Sequence, residues 1–360
     1  MYDVAVVGAG PAGATLARLV GKDYRVLVID RRPFAGDYAD SPAKTKCCGG
    51  LLAPDAQQML AELGMGVPKD ILVGPQLFTV RTIDLQSRLE RYYQRFYLNL
   101  DRERFDRWLV SLIPDRVDFL PEATFKGYSL DGGRCNLRFS QGGKEYSESV
   151  KVLIGADGAN SRVRRLVFPD SAMPKKYIAI QEWFQIEQAM PYFTTIFDSE
   201  VTDFYSWTIP KEGCLLVGSA LSLSKDAAER FETLKGKLGT LGIRLGKCVK
   251  REGAPILRPQ RLGDIRVGRG SIALLGEAAG MISPSSAEGL SYAFKSSLHC
   301  AQSLLDGPEG FLERYDRAIN PMRVNILLKN LKSPFMYNPR LRKAAMWSGL
   351  LSMEVYKAGV

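Results

Sequence analysis

Residues 2–30 read YDVAVVGAGPAGATLARLVGKDYRVLVID. The apolar, β-branched run YDVAVV at 2–7 is too short for a helix and suits a buried strand. AGATLARLV at 12–20 has helical spacing, and RVLVI at 25–29 returns to a strand, so β, α and β follow one another within thirty residues. Gly8-x-Gly10-x-x-Gly13 sits where the first strand meets the helix, the context that turns a common pattern into a dinucleotide fingerprint. The first glycine permits a tight turn, the second lets a pyrophosphate approach the backbone, and the third lets the helix pack close to the strand. The helix start adds unpaired N–H groups and the positive end of its dipole. Asp30 ends the second strand, where its carboxylate can accept ribose hydroxyls.

Working outward, helical patterns recur at 54–63, 101–112, 224–241, 288–305 and 308–330, while 77–98, 116–155 and 177–219 read as strands. Strand-rich stretches that interrupt an α/β pattern predict an α/β protein: a discontinuous Rossmann-like domain with an inserted antiparallel β-sheet and C-terminal helices. The expected division gives 1–75, 101–175 and 263–310 to the dinucleotide domain, 76–100 and 176–262 to a substrate domain, and 311–360 to a C-terminal helical region.

Composition narrows the function classes. Lys and Arg number 49 against 39 Asp and Glu, a formal charge of +10 that favours an anionic partner. Six of those ten charges arise in 316–360, where eight basic residues face two acidic ones. Six cysteines at 47, 48, 135, 214, 248 and 300 show no CxxC spacing, and there is one histidine, so no metal site and no disulfide framework is expected. That usage points to a reducing, cytoplasmic compartment. No apolar run reaches eighteen residues, so no membrane span is expected. The arginines and tyrosines of LERYYQRFYLNL at 89–100 resemble a nucleic-acid surface only superficially; their alternation fits a strand, and interspersed acids dilute the patch. No nucleic-acid partner is expected.

Two further segments decide between cofactors. KVLIGADGANSRVRR at 151–165 ends a strand at Gly155 and carries Asp157 and Gly158; SIALLGEAAGMISPSSAEG at 271–289 ends another at Gly276 and Glu277. With the first fingerprint these resemble, in order, the three FAD motifs of the flavoprotein hydroxylase superfamily. Within it the chain most resembles the geranylgeranyl reductase family: KxCGG is matched by Lys46, Cys48, Gly49 and Gly50, YxWxxP by Tyr205, Trp207 and Pro210, and G(D/E)AAG…EG by Gly276–Gly280 with Glu288 and Gly289. Glu277 stands where most relatives have Asp, and Gly218-Ser219-Ala220 replaces a GxG after the tryptophan.

The resemblance implies a two-domain glutathione-reductase-like fold with FAD held by Gly8, Gly10, Ala12, Gly13, Asp30, Arg31, Lys46, Cys48, Gly49, Arg102, Ala123, Asp157, Gly158, Gly276, Glu277, Gly289 and Leu290. It implies reduction of an isoprenoid C=C bond by hydride from reduced flavin, with Cys48 as a candidate proton donor and Tyr205, Trp207 and Pro210 lining an apolar substrate site. His299, amid Leu298 and Cys300, reads as structural. No second GxGxxG follows, so electrons come from transiently bound NAD(P)H or from a protein donor. Two alternatives stay open: an FAD monooxygenase acting on an aromatic or apolar substrate, and a lipid-binding flavoprotein without turnover. The partners expected are an apolar small molecule or lipid and, through basic and apolar residues at 323–353, the surface of an anionic membrane, which would place the chain peripherally at its inner face.

Overall fold

The computed structural model describes residues 1–34, 47–188 and 190–356. In chain order the elements begin β1 (Tyr2–Val7), α1 (Pro11–Val20), β2 (Val26–Ile29), β3 (Leu51–Leu52), α2 (Pro54–Glu62), β4 (Leu77–Asp84), β5 (Leu89–Asn99) and α3 (Arg102–Ser111). They continue with β6 (Asp118–Leu120), β7 (Thr124–Asp131), β8 (Arg134–Gln141), β9 (Lys144–Gly155), α4 (Arg162–Val167), β10 (Lys175–Gln185), β11 (Phe193–Phe197), β12 (Ser206–Lys211) and β13 (Cys214–Ser222). The chain ends with α5 (Ala227–Thr240), β14 (Cys248–Arg258), β15 (Gly268–Arg269), β16 (Ile272–Leu274), α6 (Leu290–Leu305), α7 (Phe311–Ala318), α8 (Asn320–Lys332), α9 (Pro334–Tyr337) and α10 (Pro339–Trp347).

The α/β class with a Rossmann-like domain, a second sheet and C-terminal helices holds. One sheet has the order β15-β16-β9-β1-β2-β6, with the β7–β8 hairpin joined to β9. β1 is parallel to β2 and β9, with Val4 beside Val26 and Val152. Val4–Val7 and Val26–Ile29 are buried throughout, which explains runs of apolar residues without alternation: both faces of a parallel sheet are covered. The other sheet runs β14-β10-β13-β12-β11-β4-β5-β3 and is antiparallel except where β11 lies along β4. Its outer face is covered by α5, through Phe231, Leu234 and Leu238 on Leu215, Val217 and Leu221.

Two departures have local causes. The helical pattern at 308–330 is two helices, α7 and α8, broken at Ile319 ahead of Pro321, whose ring cannot sit in a helix interior. β14 lies outside the stretches that read as strands, because four exposed residues open it and Gly253 and Pro255 interrupt its pattern; it lies at a sheet edge, where a proline is tolerated.

Candidate functional site

The carboxyl ends of β1, β2, β9 and β16 converge, the position at which open α/β sheets bind ligands. From there one cavity of about 1260 Å³ extends between the two sheets to the C-terminal helices. At its first end Gly8 turns with φ +102° and Gly13 packs so closely that an added Cβ would lie 1.8 Å from the Gly8 carbonyl oxygen. Gly10 instead faces open space, its nearest such neighbour being an Arg32 nitrogen at 3.9 Å. Neither α1 nor α6 has a side-chain cap or an acid in its first turn, so both present unpaired N–H groups; Gly10 and Pro11 of one start and Gly289 and Leu290 of the other line the cavity.

Buried charges flank this end in series. Asp30 accepts the Ala9 N–H at 2.7 Å and pairs with Arg32, Arg32 reaches Asp106 at 2.7 Å, and Asp106 takes the Arg102 Nε–H at 2.8 Å. Burial works against the Asp106 carboxylate, yet Arg102 and Arg32 hold it below the usual carboxylate range. Burial likewise opposes the Arg102 charge, and Asp106 and then Cys48 outweigh it. Arg102 Nη2 and Asp157 Oδ1 are buried polar atoms that no group in the structure satisfies, and both residues line the cavity. Burial raises the Asp157 pKa although its other oxygen caps the Arg162 and Val163 N–H groups. The unsatisfied guanidinium nitrogen and the two uncapped helix starts fit the phosphates of a dinucleotide, and the unsatisfied carboxylate oxygen fits one of its hydroxyls.

The Cys48–Gly50 loop lines the same cavity and packs on the second sheet, where a Cβ at Gly49 would meet Ile209 at 2.5 Å. Gly50 takes φ +63°, and a Cβ there would meet the Leu100 carbonyl oxygen at 2.2 Å. Behind the loop the buried Lys211 ammonium donates to the carbonyls of Leu100 at 2.8 Å and Gly50 at 3.3 Å. Burial pushes the Lys211 pKa down to about 8, against the opposing pull of Cys48, Asp101 and Glu212. Beyond the loop the second sheet offers Trp207 and Ile209 from β12 with Tyr205 just ahead of it, Phe193 and Phe197 from β11, and Val80 from β4. The indole of Trp207 lies on its cross-strand partner Gly218, where any Cβ would meet it at 2.3 Å, and its buried Nε1 has no partner.

A family description, "NAD(P)-binding Rossmann-like domain", matches residues 6–58. Over 356 residues the chain is 41% identical to Protein CbrA of Escherichia coli O9:H4 (strain HS), spanning 99% of this chain and 96% of that one. The chain belongs to the CbrA family. Among solved structures, a geranylgeranyl bacteriochlorophyll reductase-like protein from Thermoplasma acidophilum superposes on this CbrA-family chain with TM-score 0.80 at 20% identity, covering 95% of this chain and 90% of that one. PqsL, a probable FAD-dependent monooxygenase from Pseudomonas aeruginosa, gives TM-score 0.70 at 18% identity, covering 96% and 99%. The CbrA-family fold is therefore that of the FAD-dependent oxidoreductases.

In this CbrA-family protein, Gly8, Gly10, Ala12, Asp30, Arg31, Cys48, Gly49, Arg102, Ala123, Asp157, Gly158, Gly276, Glu277, Gly289 and Leu290 all line the cavity, as do Tyr205 and Trp207. Two expected residues do not share that position. Gly13 lies beneath the surface, where it lets α1 approach Gly8. Pro210 has the wrong strand parity: 205, 207 and 209 face the cavity, so Ile209 takes the place expected for Pro210, whose carbonyl accepts from Asn99 on the far side. Lys46 lies outside the described residues. Arg31 is exposed, and it is Arg32 that grips Asp30. Glu277 accepts the Leu257 N–H at 3.0 Å and so ties the third motif to β14. His299 does not line the cavity. Sequence reading missed Arg32, Asp106 and Lys211; the i, i+4 spacing of Arg102 and Asp106 was the only signal available for any of them.

Proposed function

We propose that this protein is an FAD-dependent oxidoreductase that saturates carbon-carbon double bonds of an isoprenoid substrate. The observation that carries the reading is the continuity of one cavity from the dinucleotide cradle, past the Cys48–Gly50 loop, into a wall of aromatic and aliphatic side chains. Gly8, Gly10, Asp30, Asp157, Gly276 and Gly289 would hold FAD, which when bound and reduced would supply the hydride for one alkene carbon, the other carbon taking a proton. The chain's own part is positioning and dryness. Tyr205 donates to the Ser286 carbonyl at 2.6 Å, and Trp207 is held on Gly218, so both rings have one orientation against an apolar chain. Cys48 and Arg102 meet where the two regions join, and Cys48 is the candidate proton source. The reductant is NAD(P)H or a protein donor.

The test is an anaerobic single turnover. The purified chain should carry non-covalent FAD, and after chemical reduction of the flavin a polyprenyl lipid should reoxidise it and gain two hydrogens by mass spectrometry. Trp207→Ala should slow that step while leaving FAD bound, and truncation of so buried an aromatic costs about 3–5 kcal/mol, so the melting temperature is measured alongside. A product heavier by one oxygen, formed only in air, would instead establish the monooxygenase reading that the likeness to PqsL supports. Lipid binding with no substrate-dependent reoxidation would leave a non-catalytic flavoprotein.

A further inference from the structure

The C-terminal helices carry apolar side chains on two faces. On α8 the inward face buries Met322 and Ile326, whereas Val324, Leu327 and Leu331, spaced three and four apart, form a stripe on the outward face. Past α8 further apolar side chains are exposed along the chain: Phe335 is 56%, Trp347 76% and Leu351 85% exposed. Over half of the exposed large apolar side chains among the described residues fall within 324–356. Such concentration marks an interaction surface, because isolated exposed apolar residues are ordinary and gathered ones are not. The surface is preformed. Arg342 is buried against Asp84 of β4 at 3.0 Å, and the Met353 N–H donates to the Tyr92 carbonyl of β5 at 2.8 Å, so α10 and the turn after it are anchored at both ends.

We propose that this face docks the protein on an anionic lipid bilayer. Charge selects the partner: no Asp or Glu occurs between Asp316 and Glu354, while Arg317, Lys332, Arg340 and Lys343 are exposed among the apolar groups. Two copies meeting face to face would bring these cations together, which disfavours self-association there. Among the described residues no helix is long and apolar enough to cross a membrane, so the surface lies on the bilayer with its apolar side chains at the acyl boundary. Of the basic residues in the segment, Arg342 is committed to Asp84 and Lys329 is half-buried with its ammonium over the Tyr292 ring, so neither is part of the docking face. Phe335 both is exposed and lines the cavity, which makes the docking face continuous with the cavity's far end. The inference holds whatever reaction the cavity performs.

The test is flotation of the full chain with phosphatidylcholine vesicles, with and without phosphatidylglycerol, across a salt series. Salt-sensitive co-flotation with the anionic vesicles alone is expected, with a blue shift of tryptophan fluorescence that Trp347→Phe removes. Arg340→Glu with Lys343→Glu should lower partitioning by about tenfold or more. Trp347→Ser with Leu350→Ser and Leu351→Asn should do the same; these side chains are exposed, and Asn tolerates the left-handed φ of +61° at 351. Recovery of the parent chain in the soluble fraction with both vesicles at low salt overturns the proposal. So does flotation of the triple variant at the parent level, or a dimer by light scattering that the triple variant abolishes, which would give the face to a second copy.

Discussion

At the dinucleotide end the cavity wall brings backbone to the surface at glycines 8, 10, 158 and 276 and at two helix starts, and its charges are paired side by side in the series Asp30, Arg32, Asp106, Arg102. At the far end the wall is side chain: Tyr205, Trp207, Phe193 and Phe197 from one sheet, Met336 and Met346 from the terminal helices. A wall of backbone fails when anything is added to it. A wall of side chains fails when something is taken away, and by less, because neighbours relax around the loss.

The sharpest break of this contrast comes from the smallest change. Gly13→Ala puts a methyl 1.8 Å from a backbone oxygen and should cost about 4 kcal/mol or more, seen as loss of folded chain in thermal melts. Gly10→Val, facing open space, should melt like the parent and lose its flavin on gel filtration. Equal melting of the two would erase the distinction between a packing glycine and a binding one.

Asp106→Asn comes next. It leaves Arg102 buried without a counter-charge and Arg32 with Asp30 alone, an expected loss of about 3–5 kcal/mol in denaturant unfolding. Since the folded pKa of Asp106 lies below the ordinary 3.8, its contribution is present above that value and is lost as pH falls through the folded pKa. The parent should therefore lose its advantage over the variant in acid; an advantage that persists there would show the pair to be inert.

Lys211 tests the junction between the two regions. With a folded pKa near 8 against an ordinary 10.5, the folded chain binds fewer protons than the unfolded one between those values, so stability rises with pH across that window. The parent should gain about 3 kcal/mol relative to Lys211→Met between pH 8 and 10.5, measured by urea midpoints. A flat difference would mean that the ammonium is solvated.

The least effect is expected at the side-chain end. Tyr205→Phe removes one hydrogen bond to the Ser286 carbonyl and keeps the ring, so about 1 kcal/mol of stability and little cavity shape should be lost. A loss as large as that of Asp106→Asn would show the aromatic wall to be as brittle as the charged one.

The sequence by itself determined the β-α-β opening, the two-sheet class and the residues that brought three motif segments to one cavity, because glycine spacing and strand runs are constraints a chain obeys locally. It also showed that Tyr205 and Trp207 share a face, and the same parity would have replaced Pro210 by Ile209. Tertiary structure alone decided the rest. Nothing near Arg32 in the chain announces Asp106, and nothing near Lys211 announces the carbonyls of Gly50 and Leu100. Nor does the sequence of α8 say which of its two apolar faces meets the protein. Each of these depends on which surfaces are withdrawn from water together, and burial is a property of the packed chain rather than of any segment in it.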